Sequence, residues 1–169
     1  EARKSKVQSW YLDLSLIRNY WGGATRAYHH TAPISMNYAL HEALRLILAE
    51  GLENRWARHE RNCAALRAGL EVMGLQIASQ PGHQLWQLNA VTVPEGIDEA
   101  AVRKALLNEH NLEVGAGLGP LKGKIWRVGL MGETSSPENV CVFLSALGAI
   151  FNDMGRETNV AAVLAAAGV

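Results

Sequence analysis

Residues 112–133, "LEVGAGLGPLKGKIWRVGLMGE", combine a glycine-rich segment, two lysines and an arginine set within an apolar run. Two kinds of anion-binding chemistry are consistent with this composition. A glycine loop can surround a phosphate with backbone N–H groups, whereas an arginine can bind a carboxylate through two parallel hydrogen bonds. The sequence on either side of each candidate decides between them.

The glycine segment lacks the element that a phosphate loop needs. In dinucleotide and P-loop sites the glycines lie between a strand and the N-terminus of a helix, where the phosphate binds. Here Gly115, Gly117 and Gly119 lead through Pro120 into another predicted strand, and no Gly-Lys-Ser/Thr sequence opens a helix. We therefore interpret these glycines as a tight connection and not as a nucleotide site.

Arg127 lies in the predicted strand "KIWRVGLM", where side chains alternate between two faces. The apolar face is the predicted core face and carries Trp126, Val128 and Leu130. Arg127 then points away from the core, and Gly129 leaves open space beside its guanidinium. This arrangement suits bidentate carboxylate binding, although an ordinary surface or ion-pairing arginine is an alternative that periodicity leaves open.

A second group of polar residues occurs in "YHHTAP", on a predicted loop just before a helix. The hydroxyl groups of Tyr28 and Thr31 could donate hydrogen bonds to an oxyanion or a phosphate. The adjacent His29 and His30 would point in different directions in any regular element, which is poor geometry for a metal. We predict no metal site, and Cys63 and Cys141 are expected to be free thiols.

Composition narrows the possible partners. The 169 residues include 16 basic and 16 acidic residues, so the formal net charge is zero. Such a chain has no long-range field that would attract nucleic acid or a membrane surface, and its apolar runs are too short to cross a bilayer. The chain begins at Glu1 and not at Met, so we expect a segment upstream of it.

Apolar periodicity, together with glycine, proline and capping residues, predicts the helices and strands that position these residues. Their order is helix, helix, strand, strand, helix, strand, strand, helix, which indicates an α/β (α+β-like) fold: a small mixed, largely antiparallel sheet with helices on one face. The predicted helix 35–50, capped by Ser35, is apolar on most faces and is expected to be buried or held in an interface. The predicted strands are 75–79, 88–94, 112–115 and 124–131.

Further signals define the remaining helices. Gly51 ends the first long helix, and the second is predicted to bury a stripe that includes Leu52, Trp56, Cys63, Leu66, Leu70, Met73 and His59. Asp98 and Ser136 are predicted N-caps, with Pro137 at the first position of the helix that follows. The last long helix is predicted to bury a stripe from Val140 to Met154, and the alanine-rich end is either a short docked helix or a frayed tail.

The segment "LNEHNLEVGAGLGPLKGKIWRVGLMGETSSPENV" closely resembles the C-terminal domain of class V, fold-type I aminotransferases that use pyridoxal phosphate. The nearest branch is that of alanine–glyoxylate and serine–glyoxylate (serine–pyruvate) aminotransferases. Four other segments resemble the same family in the same order, so that the resemblance covers almost all of residues 8–152: "WYLDLSLIRNYWGG", "YHHTAPISMNYALHEAL", "EGLENRWARHE" and "LNAVTVPEGIDEAAVR".

The resemblance implies a pyridoxal 5'-phosphate cofactor, a cytoplasmic homodimer, and small amino acids and 2-oxo acids as substrates, with L-alanine or L-serine donating to glyoxylate or pyruvate. It implies that Arg127 binds the substrate α-carboxylate. It also implies that Tyr28 and Thr31 reach the phosphate of the cofactor in the partner subunit. No catalytic residue is assigned in this chain, and His30 is assigned at most an ordering role in its loop.

The resemblance also implies that part of the enzyme lies outside this sequence. In the family the Schiff-base lysine lies well upstream of the segment that matches "WYLDL", and Lys4 and Lys6 are too close to it. We therefore expect the chain to be the C-terminal part of an enzyme and inactive by itself. The implied division is a remnant of the large domain and a loop (1–31), connecting and interface helices (32–74), the small domain (75–156) and a tail (157–169).

Two other functions would use the same features. A free-standing regulatory domain that binds amino acids would use Arg127 for the same carboxylate without a lysine or a cofactor. A structural dimerisation domain would bury the apolar helix 35–50. Neither explains the five matching segments in their common order.

Overall fold

The computed structural model describes residues 4–22, 25 and 27–169. The chain divides into two compact units, Glu1–Ala49 and Glu50–Val169. The division into 1–31, 32–74, 75–156 and 157–169 that the resemblance implies stays a prediction. None of the helices within the described ranges is long and apolar enough to cross a membrane.

The first unit contains helices α1 (Leu14–Gly22) and most of α2 (Ile34–Glu50). Asp13 caps α1, since its side chain accepts from the backbone N–H of Ser15 at 2.9 Å. Helix α2 begins directly after Pro33, so the predicted cap Ser35 lies inside its first turn and that prediction is wrong. No residue of α2 is buried, so this helix is not a core helix of the chain described here.

The second unit contains helices α3 (Leu52–Val72), α4 (Glu99–His110), α5 (Pro137–Asp153) and α6 (Val160–Ala167) and strands β1 (Leu88–Thr92), β2 (Gly115–Ala116) and β3 (Ile125–Gly129). The sheet order is β1-β3-β2, and both pairs are antiparallel. The predicted fold class, a small, largely antiparallel sheet with packed helices, is confirmed. The alanine-rich end is a docked helix, α6, which packs against α3 and α5.

The helix signals in the sequence correspond to real caps in this unit. The Asp98 carboxylate accepts from the N–H groups of Ala100 and Ala101, and the Ser136 hydroxyl accepts from that of Asn139. Gly51, at φ 82°, separates α2 from α3 as predicted. These caps satisfy backbone donors that the helices themselves leave unpaired.

Two strand predictions and parts of two stripes are wrong. Residues 75–79 form only an isolated bridge to β1, from Ile77 to Val91, and the predicted strand 112–115 is reduced to β2. Asn111 adopts a left-handed conformation after α4, and the Leu112 N–H returns to the Leu106 carbonyl, which withdraws this backbone from the sheet. Three predicted stripe members are exposed, at 48%, 50% and 39%: Leu52, Trp56 and Met154.

The core lies between the sheet and α3, α4, α5 and α6, and its fully buried members include Leu66, Leu144 and Phe151. Helices α3 and α5 approach closely at Gly69. A Cβ atom placed there would lie 2.4 Å from Leu144 Cδ1, far inside van der Waals contact. The absence of a side chain at position 69 therefore allows these two helices to pack at this distance.

We predict that Gly69→Ala destabilises the chain by about 1–3 kcal/mol, because the new methyl group overpacks a filled core. Urea unfolding measures this change. In a Leu144→Val background, which removes both Cδ atoms, the same substitution should be near neutral, because alanine gains up to about 1 kcal/mol of helix propensity over glycine. A Gly69→Ala protein at least as stable as the parent would contradict the packing described here.

Candidate functional site

Arg127 occupies the middle of β3, between the two other strands of the sheet. Its direct neighbours across the strands are Ala90 on β1 and Gly115 on β2. On the opposite face Trp126 and Val128 are buried, as the two-residue alternation predicted, while Arg127 is half-buried. The small size of both neighbours leaves a clearing on this face of the sheet around the arginine.

The guanidinium lies across β2. Its Nε donates to the Ala116 carbonyl at 2.7 Å, and a Cβ atom on Gly115 would lie 3.0 Å from Nη2. The expectation that Gly129 provides the space beside the guanidinium is therefore corrected: Gly115 provides it. A Cβ atom on Gly129 would meet only Met131, at 3.7 Å or more, so the space next to Gly129 remains open.

Within the described part of the chain no carboxylate forms an ion pair with Arg127, and the only hydrogen bond found for its side chain is the one from Nε. The two terminal nitrogens thus have donors available. A fixed guanidinium with an unneutralised charge and free terminal N–H groups can accept an anion, and its planar fork matches a carboxylate. The role of Arg127 in binding a substrate remains a prediction.

The glycine segment forms the tight connection that the sequence predicted. Gly117 lies so close to the next turn that a Cβ atom there would be 2.0 Å from the Leu121 carbonyl oxygen. A short 3-10 turn, Gly119–Leu121, follows and leads through the turn residues 122–124 into β3. No helix begins at this segment, so it presents no helix N-terminus to a phosphate.

Tyr28 and Thr31 lie together in the first unit. The Tyr28 hydroxyl and Thr31 Oγ1 are 2.6 Å apart, and both residues are exposed. His29 anchors their loop: it is buried, stacks on the Trp10 ring at 4.3 Å and shares an Nδ1–Nδ1 hydrogen bond of 2.6 Å with His30. The two imidazoles therefore bond to each other, and the two hydroxyl groups face outward as a pair.

Sequence reasoning missed a cluster of charges at the start of α3. Glu50 lies 2.5 Å from Arg58 Nε and 2.7 Å from Arg55 Nη1. The Arg58 guanidinium, followed by that of Arg55, lowers the pKa of the Glu50 carboxyl to about 2. The sequence signal for this cluster was the position of one acidic residue, Glu50, just before the break at Gly51, with Arg55 and Arg58 shortly after it.

Two other features are unsuited to chemistry on the substrate. Burial raises the pKa of the Cys63 thiol, which makes it a poor nucleophile, and both cysteines are free. A cavity of about 440 Å³ lies among α3, α5 and the end of β3, with lining that includes Leu66, Leu130 and Phe143, but Arg127 does not line it. In the described ranges no three metal-binding side chains form a cluster.

No protein-family model matches the chain. Curated relatives include the (S)-ureidoglycine–glyoxylate transaminase of Bacillus subtilis, 42% identical over 144 residues, and the alanine–glyoxylate aminotransferase of Callithrix jacchus, 39% identical over 149 residues. These alignments cover 85% and 86% of this chain but 34% and 36% of the relatives. The chain therefore spans about a third of the length of these proteins.

Solved structures of glyoxylate aminotransferases also match this chain over part of their length. The alanine–glyoxylate aminotransferase from Nostoc sp. is 51% identical with a TM-score of 0.81, and the match covers 89% of this chain and 40% of that one. The ureidoglycine–glyoxylate aminotransferase from Bacillus subtilis is 40% identical with a TM-score of 0.89, covering 98% and 43%. The resemblance that the sequence indicated is confirmed for the part of these proteins that the chain matches.

The charge cluster at Glu50 predicts a specific dependence of stability on pH. Because the pKa of Glu50 falls from 4.5 to about 2 on folding, its stabilising contribution is complete above pH 4.5 and is lost as the pH falls toward 2. Glu50→Gln should therefore lower the urea midpoint above pH 5, and the difference from the parent should vanish near pH 2. Glu60→Gln, an exposed position on α3, is the control. A difference that does not change with pH would contradict the ion pairing.

Proposed function

We propose that this chain, a relative of the glyoxylate aminotransferases, is the C-terminal part of a pyridoxal-phosphate enzyme that transfers an amino group from L-alanine or L-serine to glyoxylate or pyruvate. The word glyoxylate occurs in the names of both the Bacillus subtilis relative and the Callithrix jacchus relative, which supports glyoxylate as the acceptor. The amino donors in those names differ, and we propose L-alanine or L-serine from the resemblance. A cytoplasmic location stays a prediction.

The observation that supports this function most directly is the state of Arg127. Its guanidinium is held by the Ala116 carbonyl at 2.7 Å, its Nη groups are available, and the neighbouring positions 90 and 115 carry little or no side chain. Amino donors and oxo-acid acceptors share one group, the carboxylate next to the reacting carbon. One arginine can therefore orient both substrates in turn.

In the proposed enzyme Arg127 binds and orients and does not transfer protons. The carboxylate would receive the parallel N–H groups of the guanidinium, which fixes two of the substrate's oxygen atoms and so the direction of its reacting carbon. The bond from Nε to the Ala116 carbonyl holds the plane of the fork before substrate arrives. This preorganisation lowers the entropy that ordering would otherwise cost during binding.

The hydroxyl pair on the first unit fits the phosphate of the cofactor. Tyr28 and Thr31 present two O–H groups 2.6 Å apart on an exposed loop, and both can turn to donate to phosphate oxygens. When bound, pyridoxal phosphate supplies the electron sink for the amino-group transfer. We propose that these hydroxyl groups bind the phosphate of the cofactor in the partner subunit of a homodimer.

Helix α2 supports the proposed homodimer. It carries six large apolar side chains between 42% and 74% exposed, an unusual density for a surface helix: Ile34, Met36, Tyr38, Leu40, Leu44 and Leu46. Leu48, at 80%, is a seventh exposed apolar side chain of this helix. The rest of the enzyme, including its Schiff-base lysine, would lie outside this sequence, so we propose that the 169-residue chain alone is inactive.

We predict that Arg127→Gln in the full-length protein raises KM for both the amino donor and the oxo acid by about 10- to 150-fold, because hydrogen bonds to a charged group are worth roughly 1.5–3 kcal/mol. The KM values of Arg127→Lys should lie between those of the parent and those of Arg127→Gln, because lysine keeps the positive charge and loses the two parallel N–H donors. Steady-state kinetics with each substrate varied in turn measures these values. Unchanged KM values for both substrates would rule out the role.

We also predict that Tyr28→Phe weakens cofactor binding by about tenfold, since it removes one donor to a charged phosphate and keeps the ring. Thr31→Val should have a similar effect. Equilibrium dialysis of the full-length protein against pyridoxal phosphate measures both. Thr92→Val, at an exposed threonine at the end of β1, is the matched control. Equal affinity in all three variants and the parent would exclude the hydroxyl pair from the phosphate site.

A further inference from the structure

Arg58 on α3 contacts the segment that follows β3, although the two are far apart in sequence. Its Nη1 donates to the Gly132 carbonyl at 3.0 Å and to the Ser135 carbonyl at 2.7 Å. Its other nitrogens bind Glu50, through Nε at 2.5 Å and Nη2 at 3.0 Å. The guanidinium thus joins one carboxylate and two backbone carbonyl groups, and its side chain is only 24% exposed.

The segment 131–136 is held from α3 at a second point, one turn further along the helix. Asn62 Nδ2 donates to the hydroxyl oxygen of Ser135 at 3.2 Å, and Ser135 is fully buried. Within the segment Thr134 Oγ1 binds the backbone N–H and carbonyl of Met131. The Gly132 and Ser135 carbonyls both accept from one nitrogen of Arg58, so Arg58 contacts the segment at both of these residues.

This segment borders the face of the sheet that carries Arg127. Strand β3 ends at Gly129, and Met131 is the next residue on the arginine's face by two-residue alternation. Met131 is 54% exposed, and its Cε is the atom nearest to the vacant side-chain position of Gly129. Gly129 and Met131 line the cavity of about 440 Å³, which Arg127 does not line, so Arg58 is linked to Arg127 through the backbone of β3 and not through a shared space.

The ion pair with Glu50 explains why Arg58 supports the site and does not compete for the substrate. Glu50 is shared by Arg58 and Arg55, and the Nε, Nη1 and Nη2 atoms of Arg58 are all bonded to Glu50 or to backbone carbonyls, so its planar donors have fixed directions. A lysine could provide the charge but not four directed contacts. The guanidinium geometry, and not the charge alone, is what this arrangement uses.

We propose that Arg58 is a positioning residue of the substrate site: by fixing segment 131–136 it holds the end of β3, the strand from which Arg127 would receive a carboxylate. This inference rests on the proposed function of Arg127. Arg58 acts through the backbone and touches neither substrate nor cofactor.

The test compares Arg58→Gln with Arg61→Gln in the full-length protein; Arg61 is an exposed arginine on the same helix. We expect Arg58→Gln to raise KM for both substrates by about three- to tenfold with kcat changed less than about twofold, because a small displacement of the binding site weakens orientation more than chemistry. Arg58→Lys should recover little of the loss. Arg61→Gln should leave both constants unchanged. A purely structural role would instead lower the thermal midpoint and the active fraction, with KM unchanged.

Hydrogen exchange in the same proteins tests the cause directly. Arg58→Gln should speed exchange at the amides of residues 134–136, which bond within the segment, and leave those of β1 unaffected. Unchanged exchange there, or unchanged KM in a folded variant, overturns the inference. If Arg58→Gln does not fold, KM and the hydrogen exchange of residues 134–136 are measured in Arg58→Lys and Glu50→Gln instead, and unchanged values in both overturn the inference.

Arg127→Gln, measured alongside, separates this inference from the function on which it rests. Unchanged KM values in Arg127→Gln reject the proposed function, and the positioning role with it. Raised KM values in Arg127→Gln together with parental values in a folded Arg58→Gln reject only the role of Arg58.

Discussion

The structure of the second unit depends on the two faces of β3, of which one is buried beneath the helices and the other carries Arg127 two residues after the buried Ile125. Trp126 and Val128 are buried beneath the helices, and the Trp126 indole N–H donates to the Glu99 carbonyl while its ring packs near that of Phe151. A shift of one residue in strand register would place the Arg127 guanidinium in this core. Burying an unpaired charge is costly, and the same shift would expose Trp126 and Val128, so these three residues together determine the register.

Most arginines of this unit bind other parts of the chain, whereas Arg61 is exposed on α3. Arg55 and Arg58 share Glu50, Arg103 pairs with Glu99, Arg67 binds the side chains of Asn89 and Gln84, and Arg156 donates to the Met73 carbonyl. Their guanidinium groups hold helices, loops and strands together. Arg127 has its single bond from Nε to Ala116 and, within the described ranges, no anionic partner. A charge left unneutralised beside small neighbours is consistent with a site that receives an anion.

In the proposed enzyme this chain would supply recognition more than chemistry. Arg127 would orient the carboxylate that all substrates share, and Tyr28 and Thr31 would hold the phosphate of a cofactor across a dimer interface. The reacting groups themselves would come from the cofactor and from sequence outside this chain, in line with the share of about a third that it spans in its curated relatives. The contacts of Arg58 with Glu50 and with the segment after β3 would support this proposed site from the backbone.

The sequence by itself determined the features that depend on near neighbours. The caps at Asp98 and Ser136, the break at Gly51, the alternation of β3 and the family resemblance were all predicted, because each rests on contacts or patterns within a few residues. Tertiary structure alone decided the irregular path of residues 75–79, the exposure of Trp56, the position of the Arg127 guanidinium against Gly115, and the contacts of Arg58 with carbonyls 74 and 77 residues away. A long side chain can reach several partners, and only the packing of distant segments selects one.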